Sequence, residues 1–183
     1  AEALQHAGFE NSARVHLTWI EAEDVTDDTA AELLGGCDGI LVPGGFGDRG
    51  IEGKIAAARY ARTHNVPYFG ICLGMQIAVI EFARDVLGMQ NANSTEFAPD
   101  GKFPVIDLMP DQHGVVMGGT MRLGAYPCKI AEDSHMAHAY AQSLIHERHR
   151  HRYEFNNSYR EKMTQAGLHI TGTSPDDRLV EAV

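Results

Sequence analysis

The chain has 183 residues, of which 44% are hydrophobic, 25 are acidic and 15 are basic, giving a formal net charge of −10. This length and composition predict one folded domain with a buried core and exclude an intrinsically disordered chain. The acidic balance argues against nucleic acid or an anionic membrane as partner, because both require a basic protein surface. No apolar run approaches the roughly 20 residues of a membrane-spanning helix, and no stretch has the order of a signal peptide.

The cysteines indicate the redox compartment. Cys37, Cys72 and Cys128 are odd in number and widely spaced, without a Cys-x-x-Cys pair. A disulfide framework and a structural zinc site are therefore not expected, and a reducing cytoplasmic setting is predicted.

In chain order, the first half alternates between helical and extended patterns. The pattern predicts a helix over Ala1–Phe9, a strand over Val15–Ile20, a buried strand ending near Pro43, a helix over Ile51–Thr63, a strand over Pro67–Ile71 and a helix over Met75–Leu87. Such alternation with apolar strands predicts an α/β fold, with a mostly parallel central sheet and helices on both faces.

The second half is more irregular, with short extended runs between glycine turns. Strands are expected over Val105–Met109, Thr120–Leu123, Tyr126–Ile130, His151–Glu154 and Leu168–Thr173. These runs predict added antiparallel strands.

Cys72 lies where a buried strand turns sharply into a helix, with glycine two residues before it and two residues after it. This spacing is typical of a nucleophile elbow, which exposes the central side chain at the carboxyl end of a strand. The helix N-terminus should favour a thiolate, and the Leu73 N–H should face a developing oxyanion. An inert buried cysteine is the ordinary alternative, but the paired glycines favour the nucleophile.

A second glycine turn, Pro43–Gly47, follows the preceding strand and should lie beside the elbow. Adjacent glycines let backbone amides approach a ligand closely, as an oxyanion hole requires. Taken alone, this loop also fits an ordinary turn. It lacks the dinucleotide fingerprint and the lysine of a phosphate-binding loop.

Together, Pro43–Gly47 and Gly70–Gln76 resemble the class I glutamine amidotransferases. Further segments resemble the glutaminase domains of the CTP synthase family: Glu81–Arg84, Asn91–Phe97, Gly118–Gly124, Glu147–Glu154, Gly172–Asp176 and Leu179–Glu181. The resemblance spans most of the chain and implies one amidotransferase domain over residues 1–183, with a flavodoxin-like fold.

The resemblance implies hydrolysis of L-glutamine through a thioester on Cys72. The ammonia would pass to the protein's own synthase domain, absent from this chain, which converts UTP to CTP with ATP and Mg²⁺. No cofactor is implied in the glutaminase domain itself. GTP is implied as an allosteric activator, with Gly118–Gly124 as part of a lid near the domain interface, and the full-length enzyme is implied to be a homotetramer.

The resemblance also implies roles for particular residues. Gly45 and Leu73 match the oxyanion-hole positions. The substrate glutamine would be held by Gly45, Leu73, Gly74, Met75, Gln76, Glu96 and Arg152. Glu96 suits the substrate's α-ammonium group and Arg152, or its backbone, suits the α-carboxylate. The ordinary alternatives are a capping or solvent-facing acid for Glu96 and a surface side chain for Gln76.

The run Arg148–Arg152 alternates arginine and histidine, which predicts a strand with its arginines on one face. His149 and His151 are two residues apart, with no cysteine nearby and no adjacent third ligand. We therefore expect no metal site here.

Thiol catalysis normally needs a histidine base and a carboxylate that orients it. In the resembled family both come from a Gln-Phe-His-Pro-Glu segment shortly after the Leu-Val-Glu strand, and none of the ten histidines here matches it. The chain is therefore expected to be clipped after Val183, and also before Ala1, and to have little or no glutaminase activity alone. Two alternatives stay open: a non-catalytic regulatory module of the same fold, and a cysteine hydrolase of the DJ-1/PfpI type.

Overall fold

A computed structural model describes residues 1–108 and 122–183. This part of the chain contains six α-helices and nine β-strands: α1 Glu2–Glu10, α2 Ala30–Leu34, β1 Ile40–Val42, α3 Ile51–His64, β2 Tyr68–Gly70, α4 Leu73–Asp85, β3 Ala92–Ser94, β4 Phe103–Leu108, β5 Arg122–Ile130, α5 His135–Tyr140, β6 Leu144–His151, β7 Tyr153–Phe155, α6 Arg160–Gln165, β8 Gly172–Thr173 and β9 Val180–Ala182. Short 3-10 helices cover Ala22–Asp24 and Asn157–Tyr159. In these two ranges no helix has both the length and the apolar character that a membrane crossing needs.

Helix α4 forms the centre of the core. Its side chains at Ile77, Val79 and Ile80 are fully buried, and they pack in one cluster with Val105 and Ile106 of β4. An apolar helix buried on nearly all sides is typical of a central position in a domain. The beginning of α4 is therefore held firmly, and Cys72 directly precedes it.

Parallel pairing occurs where the alternating pattern predicts it. Strands β1 and β2 run parallel, with Ile40 opposite Tyr68 and Val42 opposite Gly70, and β3 runs parallel to β4. Alanines of α3 pack with Ile40 and Val42 in a second apolar cluster. The α/β fold class is confirmed.

The second half is antiparallel, as expected. Strand β7 pairs with β4, and a four-stranded sheet has the order β6-β5-β8-β9. Its longest ladder joins β5 to β6 from Arg122 opposite His151 to Lys129 opposite Leu144. Among the described residues, parallel pairing is limited to β1–β2 and β3–β4, so the parallel part is smaller than expected.

The predicted strand over Val15–Ile20 is wrong. This segment has no strand assignment, and Trp19 is 82% exposed. Val15 and Leu17 are half-buried, as the alternating pattern suggests, but alternation alone does not supply the neighbouring strand whose hydrogen bonds define a ladder. One face of the β1–β2 pair, with Leu41 and Phe69, is likewise exposed in the described residues, so helical cover on that face is incomplete there.

Three strand boundaries also differ from prediction. The runs predicted separately before and after Gly124 form one strand, β5, within the described residues. The predicted strand His151–Glu154 is broken at Arg152, which lies in a bend between β6 and β7, and the predicted Leu168–Thr173 is reduced to β8. Met109, the predicted strand start at Thr120–Met121 and most of the predicted lid (Gly118–Met121) lie outside the described residues.

Candidate active site

The turn at Cys72 has the backbone of an elbow. Strand β2 ends at Gly70 and α4 begins at Leu73, so only two residues connect them. Cys72 has φ 55° and ψ −105°, a region that costs a non-glycine residue about 1–3 kcal/mol. The turn is stabilised by hydrogen bonds from the Gly74 N–H to the Ile71 carbonyl (2.9 Å) and from the Met75 N–H to the Cys72 carbonyl (3.1 Å). The predicted strand-to-helix turn is confirmed, and Cys72 is exposed on it.

The flanking glycines are required by the close packing of this turn. A Cβ on Gly70 would lie 2.4 Å from the backbone carbon of Gly74, and a Cβ on Gly74 would lie 2.1 Å from the Val42 carbonyl oxygen. Both distances are far shorter than van der Waals contact. The glycines therefore allow β1, β2 and α4 to approach closely enough to form the turn.

The second glycine loop lies against the elbow. The Cβ position of Gly44 is 3.4 Å from the Cys72 Cβ, and that of Gly45 is 3.4 Å from a methyl group of Leu73. The Gly47 N–H donates a hydrogen bond to Glu96 Oε1 at 3.4 Å. The structure thus brings Gly45, Leu73 and Glu96 to the same side of the molecule as Cys72.

Arg152 reaches this region from the second half of the chain. It is half-buried in the bend between β6 and β7 and has a partner within the protein. Burial raises the pKa of the neighbouring Tyr153. The charge of Glu96 raises this pKa further, whereas the charge of Arg152 lowers it. Both charged residues therefore lie near Tyr153.

Gln76 is not a surface residue. It is only 6% exposed, and its side-chain Nε2 donates to the Tyr153 carbonyl at 3.0 Å. This bond ties the first turn of α4 to β7. Gly74 is held in a similar way, because its carbonyl accepts a hydrogen bond from the Tyr68 hydroxyl at 2.8 Å. Met75, which follows Gly74 in the chain, is half-buried.

The thiol of Cys72 is not activated by its described surroundings. The residue is exposed, but nearby protein still removes water from the thiol, and this desolvation raises its pKa above the ordinary value. The Leu73 N–H opposes the increase by hydrogen bonding, whereas the negative charge of Glu96 adds to it. The expected preference for a thiolate is therefore not met, since the helix N-terminus does not outweigh desolvation. Within residues 1–108 and 122–183, no histidine is hydrogen-bonded to Cys72.

The predicted alternation is confirmed for Arg148–His151 but not for Arg152, which lies half-buried in the bend after β6. The inward face of this strand carries a cluster that the sequence did not indicate. Arg148 and Arg150 are exposed, whereas His149 and His151 face inward. There they meet Glu181 of β9, so that one ligand atom from each of the three side chains lies within 4.8 Å of the others. No third ligand is adjacent in sequence, as expected; Glu181 is about thirty residues away and is brought close in space by strand pairing.

A strained cysteine between two close-packed glycines, beside a glycine loop and an acid, has the geometry of a nucleophile elbow. The family model for "Glutamine amidotransferase class-I" matches residues 1–183, and the chain belongs to this family. The match over the whole chain favours this family over a DJ-1/PfpI-type hydrolase.

Within that family, the chain is similar to CTP synthases. It is 60% identical over 183 residues to CTP synthase of Clostridium perfringens and 61% identical to that of Caldanaerobacter subterraneus, covering all of this chain and 34% of each relative. A solved structure titled "Trypanosoma brucei CTPS - glutaminase domain with bound acivicin" superposes with a TM-score of 0.92 at 41% identity, covering 98% of this chain and 71% of that one. The chain thus spans about a third of the length of the two bacterial relatives.

Proposed function

We propose that this chain is a CTP-synthase-type glutaminase domain in which Cys72 attacks the side-chain amide of L-glutamine. The observation that carries the proposal is the exposed, strained Cys72 turn with its two obligatory glycines. The sulfur forms a bond to the carboxamide carbon and gives a tetrahedral oxyanion. Collapse of that species, with protonation of the leaving nitrogen, releases ammonia and leaves a glutamyl thioester that water then hydrolyses.

The oxyanion is proposed to bind the backbone N–H groups of Gly45 and Leu73. Leu73 is the first residue of α4, where helix N–H groups are aligned toward a negative charge. The Cβ position of Gly45 is 3.4 Å from a methyl group of Leu73, which supports placing the two proposed donors, from different loops, in the same site.

The rest of the substrate is proposed to bind along the line from Cys72 to Tyr153. Glu96 supplies a carboxylate for the α-ammonium group, and Arg152 or its backbone serves the α-carboxylate. Gly74 and Met75 complete the substrate contacts on the first turn of α4. Gln76 supports this wall by its hydrogen bond to the Tyr153 carbonyl.

Turnover requires a proton acceptor for the Cys72 thiol, and the proposal places that base outside the described residues. The released ammonia is proposed to pass to a synthase domain of the same protein, where ATP and Mg²⁺ support amination of UTP to CTP. GTP is proposed as an allosteric activator and the full-length enzyme as a homotetramer. The three free cysteines support a reducing, cytoplasmic setting.

One observation favours a second candidate, a regulatory module that binds glutamine without hydrolysing it. The surroundings of Cys72 raise the pKa of its thiol, which disfavours the thiolate needed for attack. In this alternative the pocket residues are kept for binding alone. The two candidates differ in covalent chemistry at Cys72.

The test is covalent labelling with a diazo-ketone analogue of glutamine, followed by peptide mass spectrometry. We expect the label on Cys72, with little on Cys37 or Cys128, and we expect L-glutamine to protect it. Acivicin, present in the trypanosomal structure, is a second probe. In a form of the protein that includes the proton acceptor and is active, Cys72→Ala should abolish glutaminase activity. Retained activity in that variant, or labelling elsewhere, would contradict the mechanism, whereas glutamine binding without labelling would favour the regulatory module.

A further inference from the structure

The inward face of the β5–β6 ladder is charged rather than apolar. Arg122 is 7% exposed by side chain, and it contacts two carboxylates, Glu154 and Glu181, whose side chains are 6% and 5% exposed. Buried carboxylates are costly unless cations or hydrogen-bond donors lie nearby, and Glu154 has a further partner in the protein besides Arg122.

Two imidazoles lie beside these carboxylates, and each has one ring nitrogen that makes no hydrogen bond with the described residues. In the described part of the chain, His149 Nε2 and His151 Nδ1 are buried and have no hydrogen-bond partner. The other two nitrogens, His149 Nδ1 and His151 Nε2, are 2.6 Å apart, so one donates to the other. Two neutral rings joined by this bond have one bare outer nitrogen between them, so an ion bound to both rings would replace the hydrogen bond between them.

One distance in this cluster suits a shared ion better than a direct hydrogen bond. His149 Nε2 lies 3.6 Å from Glu181 Oε2, too far for a hydrogen bond. Two ligand atoms that each lie about 2.0–2.1 Å from a tetrahedral zinc ion are about 3.3–3.4 Å apart. The unpartnered Nδ1 of His151 lies 3.6 Å from Glu154 Oε1, and one ligand atom from each of His149, His151 and Glu181 lies within 4.8 Å of the others.

We propose that His149, His151 and Glu181 form a binding site for a divalent transition-metal ion of the zinc type. Two imidazoles and one carboxylate are ligands that zinc and its neighbours prefer, whereas magnesium and calcium prefer oxygen alone. Arg122 opposes the ion by its charge, but it also holds the other oxygen of Glu181 at 2.6 Å, as hydrogen-bonded second partners do for ligating carboxylates.

The site lies next to the bend that carries Arg152. His151 ends β6 and is the immediate neighbour of Arg152 in sequence. An ion bridging β6 to β9 would fix the end of β6 and so the position of the bend. The metal site itself depends on no part of the proposed glutaminase mechanism.

The experiment is a Co²⁺ titration of the 183-residue chain, followed by the visible d–d absorption, with Zn²⁺ as competitor. One equivalent should bind and be displaced by Zn²⁺. His149→Asn, His151→Asn and Glu181→Gln should each weaken binding at least tenfold. His146→Asn is the matched control, because His146 lies on the same strand with its side chain exposed on the opposite face.

Circular dichroism and the urea midpoint establish that each variant is folded. X-ray absorption spectroscopy of the zinc-loaded chain without substitutions identifies the ligands directly, and it should show two imidazoles. Absence of saturable binding, fewer than two imidazoles, or equal loss in His146→Asn would overturn the proposal.

Discussion

The elbow region and the antiparallel sheet are held together by different means. In the elbow region, β1, β2 and α4 approach so closely that Gly70 and Gly74 leave no space for a side chain. In the antiparallel sheet, the inward face of β5 and β6 is organised by a buried arginine between two carboxylates. The elbow therefore depends on close backbone approach that glycines allow, whereas the sheet depends on charges brought together from distant segments.

The largest expected effect is on the charged sheet. Arg122→Met leaves Glu154 and Glu181 buried without their guanidinium, and breaking a buried ion pair in this way costs about 3–5 kcal/mol. The exposed Lys129 on the same strand is the control, since Lys129→Met should change stability by less than about 0.5 kcal/mol. Urea unfolding measures both. Equal effects in the two variants would show that the buried charges do not organise this sheet.

A slightly smaller effect is expected at the elbow. Gly74→Ala places a Cβ against the Val42 carbonyl and should destabilise the chain by about 3 kcal/mol, although alanine is the better helix former. Gly36→Ala is the matched control, because nothing lies within 4 Å of its Cβ position. The measurement is again the free energy of unfolding. A tolerated alanine at position 74 would mean that close backbone approach does not hold the elbow.

The next prediction concerns the charge beside Cys72. Glu96 raises the pKa of the Cys72 thiol, so Glu96→Gln should lower that pKa and speed alkylation by iodoacetamide at pH 8. In the unchanged chain, alkylation should keep rising with pH beyond pH 9, because desolvation holds the thiol pKa above its ordinary value. Glu10→Gln, on the exposed end of α1, should leave the rate unchanged. A slower reaction in Glu96→Gln would contradict the assigned contact.

The smallest expected effect is on the free energy of unfolding when Cys72 is replaced, and it tests whether the backbone there is strained. Cys72→Gly removes the Cβ from a residue with φ 55° and should stabilise the chain by about 1 kcal/mol. Cys72→Ala keeps the Cβ and should leave stability nearly unchanged. Thermal or urea unfolding compares the two variants. A glycine variant no more stable than the alanine variant would show that this backbone is not strained.

Local features of the sequence were sufficient to predict the elbow. Gly70, Cys72 and Gly74 lie within five residues, and their spacing indicates the turn, which is then completed by packing against Val42 of β1. The position of Gly45 beside Leu73 also follows, since carboxyl ends of neighbouring parallel strands meet at one edge.

Long-range contacts could not be predicted in the same way. Val15–Ile20 has the alternation of a strand, but pairing depends on a neighbour that the alternation does not specify. The sequence left open that Gln76 is a surface residue, because its partner, the Tyr153 carbonyl, is 77 residues away. The pKa of Cys72 is set by the competition between desolvation and the Leu73 N–H, which only the three-dimensional surroundings determine.

The most direct test of the central claim is protection of Cys72 by its proposed substrate. Iodoacetamide modification of all three cysteines is followed by peptide mass spectrometry, with L-glutamine or D-glutamine added. The account predicts that L-glutamine slows modification of Cys72 in a saturable manner, that D-glutamine does so far less, and that Cys37 and Cys128 are unaffected. Modification of Cys72 at the same rate with and without L-glutamine would contradict a glutamine site at this turn.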